Sequence, residues 1–85
     1  MYAVVFTMPA AKAMKKLPAE IASRLADAVS GLAGNPRPPG LTRLVKSKNY
    51  RVRVGDYRII YDISDDIRQV LILKIGNRRD VYKER

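Results

Sequence analysis

From Tyr50 the chain reads Tyr-Arg-Val-Arg-Val-Gly-Asp-Tyr-Arg-Ile-Ile-Tyr-Asp-Ile, with apolar and basic residues alternating into a Gly55–Asp56 pair. No other stretch constrains the fold as tightly. A period of two sends successive side chains to opposite faces of a strand. Gly-Asp is a composition that suits a two-residue hairpin turn. The spacing therefore predicts an antiparallel pair in which Val54 faces Tyr57, Arg53 faces Arg58, Val52 faces Ile59 and Arg51 faces Ile60. One face then carries Val52, Val54, Tyr57, Ile59, Tyr61 and Ile63 and can pack on a core. The other carries Arg51, Arg53 and Arg58.

The flanking sequence supplies what that hairpin packs against. Tyr2 to Phe6 is apolar and partly β-branched, and reads as a first strand. Thr7 can cap a helix running from about Pro9 to Leu17, which Pro18 breaks. A second helix follows, with Ile21, Leu25, Ala28, Val29 and Leu32 on one stripe. Gly31, Gly34 and Asn35–Pro36 end it, and residues 34–40 form a stiff loop rich in Gly and Pro. Asp65–Asp66 is read as a second tight turn, Ile67 to Ile75 as the last strand, and Arg78 to Arg85 as a charged tail. With 85 residues there is room for one core, so residues 1–85 are one domain. The expected architecture is α+β, in the order β-α-α-β-β-β, with two N-terminal helices on one face of a mainly antiparallel four-stranded sheet. The second tight turn would set Leu71 beside Ile60 and Leu73 beside Arg58. With Ile75 these form an apolar patch next to the arginines, to be covered by the tail or by a partner.

Two arginines directly opposite one another weaken a sheet, so their presence points to a polyanion site. Charge agrees. The chain has 17 Lys and Arg against 8 Asp and Glu, a formal net charge of +9. Seven basic residues and one acid, Asp56, fall between Arg37 and Arg58: Arg37, Arg43, Lys46, Lys48, Arg51, Arg53 and Arg58. Guanidinium groups pair bidentately with phosphate, which suits nucleic acid. Tyr50 and Tyr82 have the ring to stack on bases, although Tyr50 points to the core face and reads as structural. Lys12, Lys15 and Lys16 read as a solvated helix face. The chain has no Cys and no His, which excludes disulfide scaffolds, zinc fingers, thiol catalysis and His-based triads. Of Asp62, Asp65 and Asp66, two form a turn and the group is read as structural, so no metal and no cofactor is expected. No apolar run is long enough to span a membrane, and no signal peptide is evident, so a cytoplasmic protein is expected.

At this point the sequence resembles a family. The stretch Tyr50 to Tyr61 is similar to the central hairpin of the RelE/ParE superfamily of toxins from type II toxin–antitoxin systems. The ending Lys74-Ile-Gly-Asn-Arg-Arg-Asp-Val-Tyr82 resembles the RelE branch. The resemblance implies a metal-independent, ribosome-dependent endoribonuclease that cuts mRNA codons in the A site and inhibits translation. It also implies an acidic RelB-like antitoxin that holds the toxin inactive, with operator DNA bound only through the toxin–antitoxin complex. Position by position, it makes Arg58 the group that stabilises the transition state and Arg78 the one that helps the leaving oxygen. It makes Tyr82 a stacking residue or general base. Arg51 and Arg53 match a basic pair that binds phosphate and takes part in proton transfer. Arg43, Lys46, Lys48 and Arg79 would hold RNA backbone, and Ile60, Leu71 and Leu73 would meet the antitoxin. The chain departs from the family where Arg51 and Arg53 replace common lysines, and where Val45 and Asn77 replace basic residues. An arginine stays protonated, so neither Arg51 nor Arg53 can serve as a general base.

Two other functions use the same residues. A ParE-like inhibitor of DNA gyrase would need the fold but no catalytic tyrosine. A basic module that only binds nucleic acid would need the charge alone.

Overall fold

The computed structural model describes residues 1–39, 42–43 and 49–77. The chain runs β1 (Ala3–Phe6), α1 (Met8–Lys16), α2 (Ala19–Gly34), β2 (Thr42–Arg43), β3 (Tyr50–Val54), β4 (Tyr57–Ser64) and β5 (Gln69–Asn77). The expected four strands are present in the expected order, joined by the two-residue β2 at one edge. The sheet order is β1-β5-β4-β3-β2. It is mixed: β1 runs parallel to β5, and the remaining pairs are antiparallel.

The helix ends follow from local chemistry. The Thr7 hydroxyl accepts the Ala10 amide at 3.3 Å, and a proline in the first turn already has the φ a helix needs. Leu17 is extended ahead of Pro18, so α1 stops there. In α2 the stripe of the sequence is the stripe of the core: Leu25, Val29 and Leu32 are buried, with Ile21 and Ala28 packed against them. Both helices lie on the sheet face that carries Ile59, Tyr61, Val70, Ile72 and Ile75.

The β3–β4 hairpin has the expected register, from Val54↔Tyr57 to Arg51↔Ile60. Its turn puts Gly55 at φ 60, a conformation that favours glycine.

The second turn is longer than expected. Asp65 to Arg68 form it, with the Arg68 amide donating to the Asp65 carbonyl at 3.3 Å and Arg68 at φ 51. Strand β5 therefore starts at Gln69 rather than Ile67, opposite Ser64. The pairing Tyr61↔Ile72 is then followed by Ile60↔Lys74, so Leu73 is an extra residue, a β-bulge. The Leu73 carbonyl accepts the Thr7 hydroxyl at 2.9 Å, and the neighbouring Ile72 carbonyl accepts the Thr7 amide at 3.0 Å.

The bulge corrects the expected patch. Leu71 is on the arginine face but pairs with Asp62, not Ile60. Leu73 does not pair with Arg58, which is opposite Gly76. Ile75 pairs with Ile59 in the core and is 6% exposed. Lys74 takes the place on the arginine face that an unbroken alternation assigns to its neighbours.

Candidate functional site

The arginine face is two rows across three strands. One row is Arg53–Arg58–Gly76 and the other is Arg51–Ile60–Lys74. Neighbouring strands lie about 5 Å apart, so four cations stand on an area that a few phosphates would cover. Arg53 is exposed, while Arg51 and Lys74 are half-buried. Arg58 is 3% exposed and Ile60 is 9% exposed. Burial holds the Arg58 guanidinium in place and lowers the dielectric around it, so its charge acts on an anion more strongly than a solvated one would. Arg51, Arg58 and Lys74 are each already engaged by another group of the chain.

The structure thus brings Arg51, Arg53 and Arg58 together as the hairpin spacing required. It adds Lys74, which the sequence reading did not place among the site residues. Leu71-Ile-Leu-Lys-Ile75 is apolar at four of five positions, so its alternation carries no phase, and only the bulge assigns faces. Arg43 pairs through its backbone with Tyr50 on the β2 edge. Lys46, Lys48, Arg78, Arg79 and Tyr82 lie outside the described residues. The expected apolar patch is not bare: Ile60 is covered and Leu71 and Leu73 are half-buried, while Val5, the β1 neighbour of Leu71, is 40% exposed.

A second cluster works within the chain. Arg37 forms a two-pronged ion pair with Asp65, at 3.2 and 2.9 Å, and the Tyr2 hydroxyl donates to the same carboxylate at 2.6 Å. These bonds hold the Asp65 carboxyl down at about 2, Arg37 contributing most. The Tyr2 phenol is raised in turn, chiefly by its bond to Asp65. Arg37 also stands over the Tyr50 ring at 5.6 Å, and Tyr50 stacks on Tyr61 at 5.9 Å between centroids. The Tyr61 hydroxyl donates to the Pro36 carbonyl at 2.8 Å, and burial pushes its phenol up to about 12. Arg37 and Tyr50 are therefore used to fasten the Pro-rich loop to the sheet. Asp62 stands apart from Asp65, its carboxylate accepting the Ile63 amide at 3.0 Å.

Among the described residues no helix is long and apolar enough to cross a membrane.

Comparisons with known proteins give one answer. The family model for the ParE toxin of type II toxin–antitoxin systems matches residues 4–82. Toxin RelG of Mycobacterium tuberculosis is 32% identical over 84 residues, covering 96% of this chain and 97% of that protein. The toxin–antitoxin complex RelBE2 of the same organism contains a chain that superposes with a TM-score of 0.80 at 29% identity, covering 91% of this chain and 98% of that one. An archaeal RelE–RelB complex from Pyrococcus horikoshii gives 0.81 at 29% identity, covering 91% and 94%.

Proposed function

The chain belongs to the RelE branch of the RelE/ParE family of type II toxin–antitoxin toxins, and on that premise we propose that it is a ribosome-dependent endoribonuclease that cuts mRNA in the A site. The observation that carries this reading is the opposed pair Arg53↔Arg58 with Arg51 beside it, on the sheet face turned away from the helices. RNA carries its own nucleophile. The 2′-oxygen attacks the adjacent phosphorus, the P–O5′ bond breaks, and a 2′,3′-cyclic phosphate and a 5′-hydroxyl result. An enzyme for this step must align the 2′-hydroxyl and stabilise charge on the phosphorane. Guanidiniums on a rigid sheet do both. Arg58 faces the phosphorane charge, Arg51 and Arg53 hold the flanking phosphates, Arg78 hydrogen-bonds the leaving oxygen, and Tyr82 takes the 2′-hydroxyl proton. Arg43, Lys46, Lys48 and Arg79 contact RNA backbone.

A cognate, acidic, RelB-like antitoxin completes the reading. Toxin–antitoxin complexes among the similar structures support it. Its apolar contact falls on Leu71 and the exposed Val5 beside it. The toxin acts in the cytoplasm and meets operator DNA only within that complex.

The test is primer extension on a translated mRNA after induction, with DNA integrity followed in the same cells. Cuts inside translated codons that disappear with Arg58→Ala are the expected result. Broken DNA with intact mRNA would replace this reading with gyrase inhibition.

A further inference from the structure

The cations proposed to meet the scissile phosphate share a defect: guanidiniums stabilise charge but do not give up a proton at neutral pH. An alkoxide leaving from phosphorus needs one. Among the described residues, the arginine face holds one cation of a different kind, the ammonium of Lys74, opposite Ile60 and in one row with Arg51. It lies diagonally across from buried Arg58, within the span of a long side chain. Gly76, directly opposite Arg58, adds no side chain between them. The floor of this row is Ile60, 9% exposed, which gives the half-buried Lys74 an apolar neighbour.

We propose that Lys74 is the general acid of this chain, donating its proton to the departing 5′-oxygen. The inference rests on the endoribonuclease reading above. As the 2′-oxygen bonds to phosphorus its proton passes to the Tyr82 phenolate. As the P–O5′ bond breaks, the electron pair stays on the 5′-oxygen and the Lys74 proton converts it to a hydroxyl. Lysine is left neutral and the tyrosine protonated, and exchange with water restores both. Arg78 keeps its proton and steadies the same oxygen by hydrogen bonding.

The bulge at Leu73 makes this assignment possible. Without the extra residue Lys74 would face the helices and Ile75 the substrate.

The experiment compares Lys74→Met and Lys74→Arg with the parent chain in single-turnover cleavage of an A-site mRNA on purified ribosomes. Each is given two substrates: the natural linkage, and the same RNA with sulfur replacing the bridging 5′-oxygen. A thiolate leaves without a proton. The expected result is a loss of about 100-fold or more for both variants on the oxygen substrate, with cleavage of the sulfur substrate close to that of the parent. Lys74→Arg keeps the positive charge, so its failure on the oxygen substrate separates proton donation from phosphate binding. Rates within about threefold of the parent on the oxygen substrate, or equal losses on both substrates, would overturn the proposal. A parent chain that cuts neither RNA overturns the endoribonuclease reading itself, and this inference with it. Antitoxin binding and circular dichroism of both variants confirm that they fold.

Discussion

Arg53 and Arg58 repel each other across β3 and β4, and the exposed partner can be reversed in sign without touching the core. Arg53→Glu is expected to stabilise the free chain by about 0.5 kcal/mol. For a domain of this size that is a rise in Tm of about 2–4 °C. On the endoribonuclease reading, the same change should abolish mRNA cutting. A lower Tm on calorimetry would mean the pair is not in conflict. Tyr61 makes the opposite case, a residue spent wholly on stability. Tyr61→Phe orphans the Pro36 carbonyl and should cost about 1 kcal/mol in urea unfolding. Its phenol, raised by burial to about 12, also sets an alkaline limit. The unfolded chain releases this proton near 10, the native chain near 12, so the native state binds more protons between them. The stability it contributes is complete below pH 10 and is lost from there to pH 12. Ultraviolet titration of tyrosinate should find Tyr61 ionising late, and Tyr61→Phe should flatten the alkaline slope.

At the scale of elements, Thr7 is where α1, β1 and β5 are joined. Its hydroxyl accepts the Ala10 amide as a helix cap and donates to the carbonyl of the bulged Leu73. Thr7→Val keeps the shape and removes both bonds, with an expected loss of about 1–2 kcal/mol. Thr7→Ser should recover most of it. If the bulge depends on the hydroxyl, the valine variant will also show faster amide exchange along residues 72–74 than the serine variant. Equal exchange would mean that packing of Ile72 and Ile75 alone holds the register.

The whole molecule carries +9, and on the endoribonuclease reading proposed above that charge governs how it meets RNA. Affinity should fall steeply with salt, and each phosphate contact removed from the arginine face should lower the slope of log K against log salt by about 0.7. Arg53→Ala is the variant to measure. An unchanged slope would remove Arg53 from the RNA contact. The chain of contacts Tyr2–Asp65–Arg37–Tyr50 belongs to this scale as well, because it ties the start of the first strand, the Pro-rich loop, the β4–β5 turn and β3 together. Asp65 is depressed from 3.8 to about 2, so the contribution of these contacts is complete above pH 3.8 and is lost as pH falls toward 2. Asp65→Asn should remove that acid dependence, and added salt should weaken it because the pair is open to solvent.

Strict periods carried the readable part. The alternation from Tyr50 to Val54 and the turn at Gly55–Asp56 determined the hairpin register, because one residue of slip would bury arginines and expose valines. The stripe on α2 determined its buried face, and Thr7 and Pro18 the limits of α1. The last strand was not readable in the same way. Its run of Leu, Ile and Val fits either face, and a two-residue turn at Asp65–Asp66 is as plausible locally as the four-residue turn that forms. The choice belongs to contacts distant in sequence: the pairing of β1 with β5, the Thr7 hydroxyl on the Leu73 carbonyl, and the burial of Ile72 and Ile75 under the helices. Hydrophobicity without alternation specifies that a strand is buried, and only tertiary packing specifies which way it faces. That packing turned Ile75 inward, put Lys74 among the arginines and left Arg37 tied to Asp65.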